Sequence, residues 1–257
     1  MSLVEVTECN VCGCTNISSV CHLPEIPIVL RPIPQEISLD LTYKGIPRTM
    51  PLRIGICQNC GHMILLLKLT DQVLQKLYDS CYDTYFSQLE LGFATTDTDL
   101  FLEVFRKNLG SKLPHKSRVL EVGCYDVYIL HHLSKNGFEV YGCDPSQGAK
   151  IGQEKGIPIT KAFFSPQLFP PNHFDIVINR NLIEHIAKPV EFMASLGEVT
   201  KDAGYIVMET PNGEYYLQHG LLDPFHPEHI SVFTQSSLAK CVRKAGLYIE
   251  KLFSDTR

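Results

Sequence analysis

The stretch over residues 119–146 constrains the fold of this chain more than any other. It opens Val-Leu-Glu-Val-Gly-Cys-Tyr-Asp-Val-Tyr-Ile-Leu and closes Val-Tyr-Gly-Cys-Asp-Pro-Ser. The apolar, β-branched run from Arg118 to Val122 predicts a buried strand, and Gly123 a turn after it. Val127, Leu130 and Leu133 then recur at helical spacing, with Gly137 as the stop signal. A second strand over residues 139–143 ends on Asp144. Strand, glycine turn, helix, strand and acid make a βαβ unit of the nucleotide-binding kind. Amides at the helix start approach the ligand, and the distal carboxylate receives a pair of ribose hydroxyls. Asp144 lies 21 residues past Gly123, close to the ~20 expected of that carboxylate. A single glycine in the loop argues against a cradle for a pyrophosphate, and the feature that stands in its place is Glu121.

The cysteines organise the N-terminal part. Cys9-x-x-Cys12 and Cys57-x-x-Cys60 each sit in a knuckle-like context, Cys-Asn-Val-Cys-Gly and Cys-Gln-Asn-Cys-Gly-His. Two such pairs can supply four thiolates to one tetrahedral Zn²⁺. With four protein ligands the site is closed, so the expected metal is structural and does not activate water. A pair of redox dithiols is the competing reading, and Cys14 and Cys21 are alternative ligands. Residues 1–62 hold four Lys/Arg against five Asp/Glu, too few clustered cations for phosphate recognition. No nucleic-acid partner is therefore expected.

The whole chain of 257 residues carries a formal charge of −5, which gives no basic field for nucleic acid or an anionic membrane. Its longest apolar run, residues 63–67, falls far short of the ~20 residues of a membrane span. The opening Met-Ser-Leu-Val-Glu has no basic segment before an apolar core, so a cytoplasmic location is expected. We expect a zinc-binding domain over 1–69, a helical linker or lid over 70–115, and an α/β domain over 116–257. The Pro-rich inter-knuckle segment, with weak alternation through Ile37, Leu39 and Leu41, predicts short strands and turns. Val73, Leu74 and Leu77 form one helical stripe, and Leu100, Phe101, Val104 and Phe105 another. Between them lies a tyrosine-rich linker containing Tyr78, Tyr82 and Tyr85. Those tyrosines either pack or send one phenol into an active site.

Further strands are expected over 157–160, 173–179, 204–209 and 247–253, with a helix from Pro189 through Val199. Phe163 and Phe164 at a strand end suit an adenine face or the core. Ligand-binding residues of an open α/β sheet belong at such carboxyl ends.

In order, Glu121-Val-Gly123, Asp144-Pro-Ser146, Asp175-Ile-Val177 leading to Asn181 and His185, and residues 204–209 resemble a class I S-adenosylmethionine-dependent methyltransferase. With the two cysteine pairs ahead of them, the chain resembles the zinc-containing C-methyltransferases that act on nucleotide-linked 4-keto-deoxysugars. Pro51-Leu52, Cys60-Gly-His62, the tyrosine linker, Cys124-Tyr-Asp126 and Glu228-His229-Ile-Ser-Val-Phe233 extend the match. The resemblance implies a doubly wound, Rossmann-like α/β sheet with a small N-terminal zinc-binding domain. No seventh strand is found after residues 247–253.

The cofactors so implied are S-adenosylmethionine and a structural zinc on Cys9, Cys12, Cys57 and Cys60. The implied cofactor pocket comprises Glu121, Gly123, Cys124, Tyr125, Asp126, Asp144, Pro145, Phe163, Phe164, Asn179 and Asn181. His229 is the implied base for the α-proton, Glu228 orients it, and His185 or His226 stabilises the oxyanion, with Tyr82 as the phenol. The chain departs from the family at Val127, where glycine is usual, and at Tyr125, where asparagine is. It also has His226-Pro227-Glu228-His229 for Tyr-His-Glu-His. O-methylation of a sugar or small metabolite, and a non-catalytic scaffold, are the two alternative functions.

Overall fold

A computed structural model describes residues 3–29, 35–81, 88–110, 112–146, 148–222 and 224–254. The chain divides into two compact units: Met1–Tyr82 with Asn181–Ala194 and Thr210–Arg257, and Asp83–Arg180 with Ser195–Glu209.

The first unit is built on antiparallel strands. β1 (Leu3–Glu5) pairs with β5 (Leu67–Leu69), and β2 (Ile17–Pro27), β3 (Thr49–Cys57) and β4 (Met63–Leu65) form a sheet. β11 (Ser231–Val232), from the far end of the chain, completes it in the order β11-β4-β3-β2. Leu52, Ile54, Met63, Leu65, Phe225 and Val232 are buried together on it. The helix α1 (Gln35–Tyr43) stands where short strands were expected between the knuckles. Ile37 and Leu41 pack in a second core with Ile28, Met50, Leu69, Leu74 and Leu77, the last two from α2 (Asp71–Cys81). Positions 37 and 41 are four apart, so they share a helix face as readily as they alternate on a strand.

α8 (Gly213–Gln218) and α9 (Gln235–Lys244) belong to the same unit. α9 starts at a reciprocal cap in which Ser237 N–H donates to Thr234 Oγ1 at 3.1 Å and Thr234 N–H to Ser237 Oγ at 2.9 Å. Residues 247–253, expected as a strand, carry no strand pairing, and Tyr248 and Phe253 are 84% and 57% exposed. A strand exists by its neighbour's hydrogen bonds, and no neighbour receives this one.

The second unit is a parallel α/β sheet. β6 (Arg118–Val122), β7 (Glu139–Cys143), β8 (Ile159–Thr160), β9 (Phe174–Arg180) and β10 (Thr200–Glu209) run in the order β10-β9-β6-β7-β8. Every pairing is parallel. The chain moves outward from β6 through β7 and β8, then returns to β6's other side with β9. Between β6 and β9 the winding reverses, and at such a switch point ligands lodge beyond the carboxyl strand ends.

α4 (Thr96–Leu109) buries Phe101, Phe105 and Leu109 at four-residue spacing, and α5 (Tyr128–Lys135) buries Ile129, Leu130 and Leu133. They join Val119, Ile176 and Ile178 of the sheet in one core. The remaining helices are α3 (Gln88–Leu91), α6 (Gly148–Glu154) and α7 (Pro189–Val199). No helix among the described residues is long and apolar enough to cross a membrane.

Candidate functional site

Three buried carboxylates converge at the carboxyl ends of β6 and β7. Asp144 is fully buried; its Oδ2 accepts the Tyr125 N–H at 2.9 Å and its Oδ1 the Ser146 N–H at 2.8 Å. The loop amide and the strand-end carboxylate thus position each other, while each oxygen keeps a second lone pair. Asp126 also turns inward, accepting from the backbone of Gln88, Leu89 and Tyr128. It ties the start of α5 to α3, so its carboxylate is committed to protein amides.

Glu121 is 4% exposed, and its Oε2 has no hydrogen-bond partner. Burial first, then the charges of Asp126 and Asp144, pushes its carboxyl up to about 8, against the opposing pull of Arg180. Asn179, fully buried on β9, donates from Nδ2 to the Val122 carbonyl at 3.3 Å and leaves Oδ1 unpartnered. Two acceptor atoms without donors, on the strands flanking the switch point, fit a ligand that carries N–H or O–H donors and positive charge.

The loop between Gly123 and α5 is tight. Tyr125 and Val127 both have left-handed backbone, at φ +32° and +55°. For a β-branched residue that conformation costs on the order of 1–2 kcal/mol. The Val127 side chain points inward. It is fully buried in the core, and Gly152 of α6 leaves room for it: a Cβ on Gly152 would lie 3.0 Å from Val127 Cγ1. Cys124 is buried on this turn, its thiol pushed well up by burial and by Glu121 and Asp144. Gly123 donates its N–H to the Cys143 carbonyl at 2.9 Å.

Pro145 is half-buried beside Asp144, and Phe163 is 59% exposed. Phe164 stacks on Phe169 with centroids 6.2 Å apart. Arg180, which sequence reasoning passed over, closes the acidic end of β9. It donates to the Glu209 carboxylate and to Thr98 Oγ1, and lies 4.6 Å over the Phe101 ring. Its place at a strand's carboxyl end was the available signal.

The first unit holds the other two groups of expected residues. One Sγ atom from each of Cys9, Cys12, Cys57 and Cys60 lies within 4.8 Å of the others. Cys9 and Cys60 are 3.7 Å apart, and Cys12 and Cys57 3.5 Å. A tetrahedron with metal–sulfur bonds of ~2.3 Å has an edge of about 3.8 Å. The donor set is thus compatible with zinc in identity and spacing. Each knuckle closes alike, with Gly13 donating to the Cys9 carbonyl and Gly61 to that of Cys57, both at φ near +70°. Only glycine adopts that turn without cost. The knuckles are braced by Asn10 Nδ2 donating to Ser231 Oγ at 2.9 Å and Ser236 Oγ to the Cys60 carbonyl at 3.3 Å.

His185, His226 and His229 are brought together. Ring centroids of His226 and His229 are 3.6 Å apart, and those of His185 and His229 4.6 Å. His185 Nδ1–H donates to the Glu228 carbonyl at 3.0 Å, and His229 Nδ1–H to that of Pro224 at 2.8 Å. A carbonyl only accepts, so each of these rings carries a proton on Nδ1. Burial, then the charge of His229, lowers His185 to about 3, so it is neutral at physiological pH. Glu228 is buried beside them. Asn181 is exposed at φ +45°. Tyr82 and Tyr85 lie outside the described residues.

Residues 96–252 match the family described as "Methyltransferase domain". The ubiquinone biosynthesis O-methyltransferase of Ruegeria pomeroyi is 26% identical over 116 residues, 42% of this chain and 47% of that protein. Its counterpart in Cereibacter sphaeroides is 25% identical over 162 residues, 56% of this chain and 65% of that one. The chain therefore spans about half to two thirds of the length of these relatives. A solved SAM-dependent methyltransferase from Archaeoglobus fulgidus is 23% identical with a TM-score of 0.44, covering 56% of this chain and 68% of its own. With a family match running through more than half of its length, and a Rossmann-like parallel sheet beneath it, the chain belongs to the methyltransferase-domain family.

Proposed function

We propose that the protein transfers a methyl group from S-adenosylmethionine to a small-molecule acceptor, and that the acceptor is a nucleotide-linked keto-deoxysugar methylated at carbon. The single observation that carries the cofactor assignment is the buried carboxylate cluster at the switch point, with Glu121 Oε2 unpartnered. Asp144 would hold the ribose hydroxyls, Glu121 the cationic methionine end, and Asn179 Oδ1 a donor of the cofactor. Gly123, Cys124 and Tyr125 would line the loop, with Pro145, Phe163 and Phe164 beside the adenine and Asn181 at the acceptor end. When bound, the sulfonium would supply an activated, electrophilic methyl group.

The chain's own work is then to position the acceptor and move its proton. His229 is the assigned base, and the bond from its Nδ1–H to the Pro224 carbonyl orients the ring. Glu228 holds the cluster in place through its backbone carbonyl on His185. Because that bond uses the one N–H of neutral His185, stabilising the enolate oxygen by hydrogen-bond donation falls to His226. Tyr82 is a further donor. The zinc on Cys9, Cys12, Cys57 and Cys60 would be structural, and the protein would work in the cytoplasm.

The similarity to ubiquinone biosynthesis O-methyltransferases supports a second reading, in which the accepting atom is oxygen. Calorimetry with S-adenosylmethionine tests the cofactor assignment. Asp144→Ala should bind it more weakly by about 1.5–3 kcal/mol, the worth of hydrogen bonds to a charged group. Undetectable binding by the intact protein would reject the reading, and NMR of the methylated product would separate carbon from oxygen.

A further inference from the structure

We infer that Arg180 sets the cofactor preference by binding the carboxylate of the methionine end, so that Glu121 and Arg180 together grip an amino-acid zwitterion. This rests on the methyl-transfer reading and adds to it a specificity-determining residue. The two side chains belong to neighbouring strands of the parallel sheet. Glu121 on β6 pairs in register with Ile178 on β9, and Arg180 follows Ile178 by two residues. Side chains two apart on a strand share a face, as do those paired across strands. Glu121 and Arg180 therefore stand on the same side of the sheet, at its carboxyl end.

Arg180 is held in place from three directions. Its Nε donates to the Glu209 carboxylate and its Nη1 to Thr98 Oγ1 at 3.3 Å, and the guanidinium lies 4.6 Å over the Phe101 ring. Thr98 and Phe101 are both buried on α4, and the Arg180 side chain is only 11% exposed. A fork fixed in this way loses little further freedom on binding. Among the described residues no hydrogen bond occupies Nη2, whose two N–H groups are left for a ligand.

The charges around Glu121 point to what that ligand carries. Of those that act on it, Asp126 and Asp144 are negative and Arg180 is positive. Yet Arg180 spends its ion pair on Glu209, while Glu121 Oε2 has no hydrogen-bond partner. An acid and a base thus face one region without being joined through that oxygen. The methionine end of S-adenosylmethionine carries an ammonium and a carboxylate side by side. With its ammonium at Glu121, its carboxylate would meet like charges on Asp126 and Asp144, and burying it unpaired is costly. The planar guanidinium suits a carboxylate, to which it gives charge-assisted N–H bonds.

Calorimetry of the full chain with S-adenosylmethionine and with its decarboxylated form tests the assignment. The intact protein should bind the carboxylated compound more tightly by about ten- to a hundredfold, the worth of hydrogen bonds to a charged group. Arg180→Met should lose most of that preference by weakening S-adenosylmethionine. The decarboxylated form has one more net positive charge, so it should bind the variant at least as well, because a repelling cation is gone. A merely structural role would weaken both compounds alike. Arg180→Lys keeps the charge and loses the fork; it should lower the preference without abolishing it, and serves where Arg180→Met does not fold. No preference in the intact protein, an unchanged preference in the variants, or equal weakening of both compounds would overturn the assignment and leave the cofactor reading standing. Binding of neither compound by the intact protein would overturn both.

Discussion

Glu121 combines burial with a missing hydrogen-bond partner, and that pairing has a measurable signature. Its carboxyl is held up to about 8 by burial and by two neighbouring carboxylates. In the unfolded chain it titrates in the ordinary range near 4.5. Between those values the folded protein keeps a proton that the unfolded chain has lost, so the contribution is present below about 4.5 and is lost as pH rises toward 8. Glu121→Gln should therefore flatten the fall in stability across that window, read as urea midpoints from pH 5 to 8. Cofactor binding should act in the opposite sense on the same proton. A cation placed against Glu121 favours its charged form, so calorimetry near pH 7 in buffers of different ionisation enthalpy should register proton release. Equal apparent enthalpies in all buffers would remove Glu121 from the site.

At the scale of elements, the entry to α5 is held by a residue with the wrong backbone preference and the right packing. Val127 sits at φ +55° with its side chain fully buried. Val127→Gly relieves a strain on the order of 1–2 kcal/mol, while both glycine and alanine forfeit most of the valine's burial, about 2 kcal/mol. The glycine variant should therefore be no less stable than Val127→Ala by urea denaturation. A glycine variant less stable by more than about 1 kcal/mol would mean that the turn carries no such strain. The same region shows what a sequence can and cannot disclose. β6 and β7 are found at the expected bounds, because continuous apolar runs between a turn and an acid are a local signal. That Val127 points into the core was not legible, since the space for it comes from Gly152, far along the chain. Residues 247–253 have strand composition but no strand pairing among the described residues, and pairing is not written locally. The histidine cluster was legible only as a set of candidates. Its hydrogen bonds run to the backbone carbonyls of Pro224 and Glu228, which no residue-type pattern reports, and Arg180 carries no motif.

At the scale of the molecule, the cysteine cluster and the histidines occupy one unit while the buried carboxylates of the sheet occupy the other. Cys57→Ser should therefore release the thiolate-bound metal, disorder the first unit and abolish methyl transfer. Binding of S-adenosylmethionine through the second unit should survive, weakened by less than about tenfold, or 1.4 kcal/mol. Elemental analysis, calorimetry and limited proteolysis of the same preparation would check this. Full metal content in the variant would transfer ligand duty to Cys14 or Cys21.

The division into units has a practical corollary. The backbone passes from one to the other after positions 82, 180, 194 and 209. No single pair of scissors therefore frees either: trimming the cysteine-bearing leader also strips β3 and β4 from β11, and leaves the histidines behind without their sheet. Anyone seeking to transplant the first unit onto a relative would need to carry three separate pieces of polypeptide in one graft.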